Sequence, residues 1–258
     1  MVRTPAETLE AAEAAGIAKS GRPLGRLLAG SVLAGAYIAL GGTLSIIIGF
    51  GFPEITASNP GLQRLLSGLV FPVGLMLVVI LGADLFTGNN ALLIPPALNR
   101  KLSVGSLLRN WAIVWAGNFA GALAFAYFLV YLPGVASAPC YADALAGMAV
   151  AKTGASFGVI FLKGIGANWC VCLAVWLALS GRRLGEKLLA CEIPVMAFVA
   201  LGYEHCVANM FFLPLGMMQG APLDIVTLFT ANLLPATLGN IVGGALFVGA
   251  LHYYLNRR

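Results

Sequence analysis

The sequence contains little charge for its length. Only 10% of its 258 residues are charged, while 60% are hydrophobic, and an average soluble domain has about 25% charged residues. A soluble chain of this size could not cover its surface with so few charges. Lipid is therefore the expected solvent for most of the chain, and no long polar stretch is left over for a second large domain.

Residues that bind cofactors are also scarce. The chain has two histidines, and only His205 lies inside an apolar run, since His252 falls near the end of the last one. A haem protein would need paired axial ligands within the membrane. Cys170 and Cys172 stand two residues apart on a predicted helix and point about 200° apart, so they cannot share a metal ion. We expect no metal, no cofactor and no enzymatic activity.

The net charge of +5 does not indicate a nucleic-acid-binding protein. Most of the 15 lysines and arginines lie at the two termini and in the second and fourth loops between apolar runs. Such a distribution is typical of cytoplasmic loops under the positive-inside rule. The sequence thus predicts an inner-membrane protein with both termini in the cytoplasm.

The first residues show no cleavable signal peptide, because residues 1–26 lack an apolar core. Thr4-Pro5-Ala6-Glu7 has the pattern of a helix start with a capping box. A helix is predicted to about Lys19, where two glycines and a proline in 21–25 end it. Residues 1–26 are thus expected to form a cytoplasmic helix and linker, and residues 27–258 a membrane domain.

Six apolar spans are predicted in this membrane domain, which makes the fold class all-α. They run over residues 27–50, 65–98, 106–132, 156–179, 188–218 and 225–255. Polar residues interrupt the second span at Asp84–Asn90 and the fifth at Tyr203–Asn209. An even number of spans agrees with two termini on the same side.

An internal repeat links the two interruptions. Three residues around the first interruption recur around the second at one constant spacing. Gly82, Asp84 and Asn89 match Gly202, Glu204 and Asn209, respectively. Gly117-Asn118 matches Gly239-Asn240 at nearly the same spacing. Three spans in each half place the halves in opposite orientations, and matched broken helices predict a site near the bilayer midplane. The free N–H groups of two half-helices favour an anion there.

His205 is the candidate for proton chemistry at this site. It lies in a break beside Glu204, and an unperturbed histidine titrates near neutral pH. A buried histidine that only satisfies core hydrogen bonds is the alternative. Asp84 and Glu204 cost about 2.5–3.5 kcal/mol each within a bilayer, and we expect both to orient neighbours or anchor backbone. Lys163 either pairs with Asp84 or extends towards the interface, and both alternatives stay open.

Other residues near the breaks have two readings each. Phe86 and Phe198 could form a hydrophobic constriction or belong to the packed core. Asn168 and Asn240 could line a pathway or make ordinary hydrogen bonds between helices. Glu192 is expected at the interface.

The segments around these residues resemble the formate/nitrite transporter family over nearly the whole chain. The segments that carry the resemblance are Gly82–Thr87, Ala167–Ala174, Gly202–Met210 and Thr237–Asn240. The resemblance implies an aquaporin-like six-helix protomer with an inverted 3+3 repeat. It also implies a homopentamer with one pore per protomer and an amino-terminal helix at the cytoplasmic mouth.

The resemblance also implies roles for individual residues. His205 would be the central pore histidine, faced by Thr87 and oriented by Glu204 and Asn168. Lys152 would draw anions into the outer vestibule. Asn240 would be a polar lining residue. Phe86 and Phe198 would form the outer constriction, and Leu77 would belong to the inner one.

Formate is the predicted substrate, with nitrite, hydrosulfide or another small monovalent anion as the alternative. Ser180-Gly181-Arg182 and Asn232–Pro235 are similar to the formate channels, whereas Ala151-Lys152-Thr153 and Leu162-Lys163-Gly164 are similar to the nitrite branch. An aquaporin-type pore for neutral solutes is disfavoured, because such pores usually carry paired Asn-Pro-Ala motifs and this sequence has none.

Overall fold

A computed structural model describes residues 2–257, and all regular structure within them is helical. Met1 and Arg258 lie outside the described residues, so the structure does not place the second of the two carboxyl-terminal arginines used to predict topology. The helices of the first half are α1 Pro5–Ser20, α2 Leu24–Phe50, α3 Pro53–Ser58, α4 Pro60–Leu81, α5 Phe86–Leu92, α6 Ile94–Leu98 and α7 Val104–Tyr131.

The second half repeats this order with fewer short helices. Its helices are α8 Pro139–Gly154, α9 Phe157–Ser180, α10 Leu184–Leu201, α11 Cys206–Met218 and α12 Ile225–Asn256. Within residues 2–257, five helices are long and apolar enough to cross a membrane, namely α2, α4, α7, α9 and α12. The protein is therefore a helical multi-pass membrane protein. The predicted fifth span is divided between α10 and the shorter apolar α11.

The two interruptions are shorter than the sequence predicts. The chain leaves helical geometry only over residues 82–85 and 202–205. Gly82 and Gly202 end their helices with φ of 73° and 69°, a left-handed conformation that glycine adopts without strain. Residues 86–90, which we predicted to be part of the break, are already helical and buried. A new helix starts at once because it satisfies backbone groups that lipid cannot.

One asparagine at each break binds backbone N–H and carbonyl groups that lack a partner within the helices. Asn118 Oδ1 accepts the Phe86 N–H at 2.8 Å, and its Nδ2 donates to the carbonyls of Ser31 at 2.8 Å and Asp84 at 2.9 Å. The first break is thus tied to the neighbouring helices α2 and α7.

Asn240 makes the same three bonds at the second break. Its Oδ1 accepts the Cys206 N–H at 2.8 Å, and its Nδ2 donates to the carbonyls of Gly164 at 2.8 Å and Glu204 at 2.9 Å. The repeat seen in the sequence is therefore also a repeat of hydrogen bonds.

Close contact between helices makes these bonds reachable. Helix α2 packs along α7, and α9 packs along α12. At the crossings, a Cβ on Gly121 would collide with the Val32 carbonyl, and a Cβ on Gly243 would collide with the Ile165 carbonyl. Small residues let backbones approach in membranes, where packing rather than hydrophobicity drives association.

Helix α1 lies outside the apolar bundle and begins as its capping pattern predicts. The Thr4 N–H donates to Glu7 Oε2 at 2.7 Å, and the Glu7 N–H donates to Thr4 Oγ1 at 3.3 Å. The helix packs against α6 and α9. Helix α2 then begins at Leu24, so the first apolar helix starts before the predicted boundary at residue 27.

We predict that Asn118→Ala destabilises the protein, because it leaves one N–H and two carbonyls buried without this partner. A buried unsatisfied group costs about 1–3 kcal/mol, which corresponds to a fall of roughly 5 °C or more in the unfolding midpoint. Thermal unfolding of the purified protein in detergent measures this. The matched control is Asn256→Ala, whose amide donates only to the His252 carbonyl. Equal midpoints for both variants would contradict the assigned role.

Candidate functional site

Each break carries a buried carboxylate that is paired with a lysine from a helix outside the bundle. The Lys19 ammonium lies 2.8 Å from Asp84 Oδ1, and Arg22 also pairs with this carboxylate. The Lys152 ammonium lies 3.0 Å from Glu204 Oε2. Burial lowers the pKa of Lys19, and the charge of Asp84 opposes this shift. Asp84 pairs with Lys19 and Arg22 and not with Lys163, whose side chain lines a cavity together with Glu204.

Asparagines complete the two ion-pair clusters in the same way. Asn89 donates to Asn110 Oδ1 at 3.0 Å, and Asn110 donates to the Lys19 carbonyl at 3.4 Å. In the second half, Asn209 donates to Asn232 Oδ1 at 2.7 Å, and Asn232 donates to the Lys152 carbonyl at 2.8 Å. Helix α1 thus stands to the first break as α8 stands to the second.

His205 is buried at the start of α11, with both ring nitrogens engaged. Its Nδ1 accepts the Ala208 N–H at 3.1 Å and so caps the helix. Because Nδ1 is an acceptor, the proton of the neutral ring resides on Nε2. Nε2 lies 2.9 Å from Thr87 Oγ1 and donates to it. The contact joins the two breaks, as the family resemblance implied.

Glu204 and Asn168 do not hydrogen-bond the imidazole that they were expected to orient. Glu204 Oε2 accepts from Asn209 at 2.7 Å and from Asn232 at 3.2 Å. Asn168 donates to the Thr87 carbonyl at 3.2 Å and to the Asn240 carbonyl at 2.6 Å. Asn168 therefore holds Thr87, and it reaches His205 only through that residue.

Two cavities border the residues around His205, and only the first of them is lined by His205 itself. The cavity on the α8 face has a volume of about 300 Å³ and reaches His205, Phe198 and Lys152. The cavity on the α1 face has a volume of about 190 Å³ and contains Lys19 and Lys187. We call them the α8 vestibule and the α1 vestibule.

A narrow constriction separates the two vestibules. It encloses only about 10 Å³ and is bounded by His205 and seven apolar residues, which are Ile38, Phe71, Leu75, Leu85, Val171, Val195 and Phe198. Phe198 lies 5.7 Å from both the Phe71 and the His205 rings, measured between centroids. An opening of this size and polarity excludes a hydrated ion.

Six of the eight residues of the constriction form equivalent pairs from the two halves. Leu75 corresponds to Val195 at the spacing of the two breaks, and Ile38 corresponds to Val171 at the spacing that also relates Lys19 to Lys152. Leu85 of the first break corresponds to His205 of the second. Phe71 and Phe198 have no counterpart in the constriction, and the equivalent residues Leu85 and His205 differ in chemistry because one half supplies an imidazole there.

Phe86, Leu77 and Asn240, which were predicted to line or narrow the pathway, line neither this constriction nor the two vestibules. Phe86 packs against Trp111, with ring centroids 6.3 Å apart, and borders a lateral groove with Phe229. Leu77 is half-buried and lines neither vestibule, because the side chain of Leu75 takes the facing position. Asn240 braces the second break instead of lining a pathway.

Sequence reasoning missed Lys19, Phe71 and Leu75. Lys19 could have been found, because Ala18-Lys19 and Ala151-Lys152 end similar helices in the two halves. Phe71 and Leu75 could not have been found this way, since a one-residue change of position rotates a helical side chain by about 100°.

Comparison with known proteins shows the family of this chain. The family model for the formate/nitrite transporter matches residues 6–254. The chain belongs to the formate/nitrite transporter family. It is 44% identical to a probable formate transporter of Methanothermobacter thermautotrophicus, over 98% of this chain and 96% of that one.

Solved structures extend the likeness of this formate/nitrite transporter to its fold. An ion channel of the family matches with a TM-score of 0.86 at 30% identity, covering 96% of this chain and 98% of that one. A pentameric formate channel with formate bound matches with a TM-score of 0.81 at 31% identity, covering 91% and 98%. Members of this family are channels and transporters, and this chain is not an enzyme.

We predict that Leu75→Ala widens the constriction, whereas Leu77→Ala removes the same atoms without doing so. Flux of acetate through proteoliposomes should rise in the first variant and stay at the wild-type level in the second. A buried Leu→Ala change costs about 2–5 kcal/mol, so the amount of folded, reconstituted protein is measured for both variants. A rise with Leu77→Ala alone would show that Leu77 forms the constriction.

Proposed function

We propose that this protein is a channel for formate, with proton exchange at His205. The chain would cross the membrane six times, the second and fifth crossings each being formed by two helices. Five such protomers would assemble, each with its own pore. The similarity to a pentameric formate channel and to a probable formate transporter supports both the substrate and the assembly.

The proposed orientation places the α1 vestibule in the cytoplasm and the α8 vestibule outside an inner membrane. The distribution of lysine and arginine supports it. Residues 1–26 would then be the cytoplasmic portion and residues 27–258 the membrane domain, with α1 resting on the inner mouth.

The observation that carries the proposal is the polar pair at the constriction. Apolar side chains surround the narrow point, where His205 of the second half supplies the polar group, and its Nε2 lies 2.9 Å from Thr87 Oγ1 of the first half. An anion arriving from the α8 vestibule would meet the His205 ring, backed by the Thr87 hydroxyl, where the pathway narrows.

Protonation would lower the free-energy barrier that a weak acid meets at the constriction. Burying an unpaired charge among apolar groups costs many kcal/mol, while a neutral molecule pays mainly for its polar atoms. Formate that takes a proton at the constriction would cross as formic acid and release the proton in the opposite vestibule.

The hydrogen bond by which His205 caps α11 would limit this proton exchange. The ring can give its Nε2 proton to an anion only if Nδ1 takes one from the water of the α8 vestibule, which His205 lines. Nδ1 accepts the Ala208 N–H, so this bond has to break before a proton can bind there. Proton exchange is therefore coupled to loosening of the first turn of α11, and the resting state is the neutral ring.

Neighbouring residues would support these two. Glu204, Asn168 and Asn240 would hold the two breaks at the observed distance. Phe198 and Leu75 would form the two apolar sides of the constriction. Lys152 would keep the Glu204 carboxylate neutralised at the edge of the α8 vestibule.

We predict that His205→Asn abolishes electroneutral formate flux while the protein still folds and assembles. Asparagine is a favoured N-cap residue, so it can replace the bond to Ala208 but cannot exchange a proton. The measurement is formate flux into liposomes at several pH values, with electrical current recorded in parallel. A leak of anions without their proton is the expected residual activity.

The matched control for this experiment is His252→Asn, because His252 lies near the end of α12 and away from both vestibules. Retained electroneutral flux with an unchanged pH dependence in His205→Asn would contradict the mechanism. Including nitrite, hydrosulfide and glycerol in the wild-type assay tests the substrate assignment separately.

We further predict that Thr87→Val lowers formate flux and Thr87→Ser preserves it. Valine keeps the shape of threonine but removes the hydroxyl that accepts from His205. Loss of one hydrogen bond is worth about 1–1.5 kcal/mol, which corresponds to a rate about five- to tenfold lower. Equal flux in the two variants would show that the hydroxyl has no part in transport.

A further inference from the structure

The α8 vestibule carries more positive charge than its ion pair with Glu204 can neutralise. Its lining includes three cationic side chains, Arg64, Lys152 and Lys163, and a single carboxylate, that of Glu204. His205 is the neutral tautomer at its inner end. Two positive charges are therefore in excess in a cavity of about 300 Å³.

Lys152 contributes little to this excess. Its ammonium lies 3.0 Å from Glu204 Oε2, and its side chain is only 17% exposed. The same carboxylate oxygen accepts from Asn209 and Asn232, and Asn232 also donates to the Lys152 carbonyl. Lys152 is fixed in a closed network, so an arriving anion sees a neutralised pair.

Arg64 and Lys163 differ from Lys152 in this respect. Within residues 2–257, neither has an aspartate or glutamate oxygen within 4.0 Å, while Lys152 does. Lys163 is also held close to the break, because its carbonyl accepts the Glu204 N–H at 3.4 Å. The side chains of Lys163 from α9 and Arg64 from α4 both line the α8 vestibule.

The α1 vestibule shows the same division of roles. Lys19 is bound to Asp84, at 2.8 Å. Lys187 lines the same vestibule, and in the described part of the chain it has no acidic partner. In both vestibules, one lysine closes the network around a break and a second one leaves its charge available.

We propose that Arg64 and Lys163 form the anion-capture site of the α8 vestibule, and that Lys152 is a structural member of the break. The site would take small carboxylates and other small anions. It would bind a dicarboxylate such as malonate more strongly than a monocarboxylate, because both cations act on both charges. The capture step rests on the proposed transport of formate, but anion binding to the site does not.

The first test is initial formate uptake from the α8 face of proteoliposomes whose orientation is known. Lys163→Gln and Arg64→Gln should each raise the half-saturating formate concentration about threefold or more at low ionic strength, with little effect in high salt. Lys163→Arg should retain wild-type uptake. The control Arg109→Gln removes the same charge from an exposed residue outside the vestibule.

Unchanged half-saturation in Lys163→Gln and Arg64→Gln, or an equal change in Arg109→Gln, would overturn the proposal while leaving formate transport intact. A wild type without formate flux would instead overturn the proposed function.

The second test measures binding and does not depend on transport. Malonate should raise the unfolding temperature of the purified wild-type protein and of Arg109→Gln, and should compete with formate uptake from the α8 face. Both effects should be largely lost in the double variant Arg64→Gln/Lys163→Gln. If malonate stabilises that double variant as much as the wild type, the two residues do not form an anion site.

Discussion

The whole arrangement depends on satisfying backbone hydrogen bonds at the two points where helices stop inside the membrane. Lipid offers no partner for an open N–H or carbonyl. Asn118 and Asn240 each bind one N–H and two carbonyls around a break. With the breaks fixed in this way, the helix starts at Phe86 and Cys206 face each other, and Thr87 meets His205.

The structure is nearly symmetric, and its chemistry comes from the exception. Pairs of equivalent residues build the braces, the ion pairs and most of the constriction. His205 and Leu85 occupy equivalent positions but share no chemistry. One half thus contributes an apolar side chain where the other contributes an imidazole. A symmetric constriction of two leucines would exclude ions without any means of passing a weak acid.

The fold class and the positions of the two breaks could be predicted from the sequence, because membrane helices are recognised by their apolar runs. Low charge, long apolar runs and the repeated Gly-x-Asp/Glu pattern indicated a helical membrane protein with matched polar interruptions. The pair of His205 and Thr87 followed from the family resemblance. Side-chain direction could not be predicted, and so Leu77 was chosen over Leu75 and Phe86 was placed at the pore. Likewise, only the folded chain shows that Asp84 pairs with Lys19 and Arg22, since α1 lies far from that break in sequence.

The position of α1 changes where the repeating unit begins. Helices α1 and α8 end in equivalent lysines, and each lysine binds the carboxylate of the break in its own half. Their carbonyls accept from equivalent asparagines. The unit that occurs twice therefore begins with a helix that ends in a lysine, α1 in the first half and α8 in the second. The amino-terminal helix is therefore part of the repeated architecture. Removing it would leave the buried carboxylate of Asp84 without the Lys19 ammonium as its counter-ion.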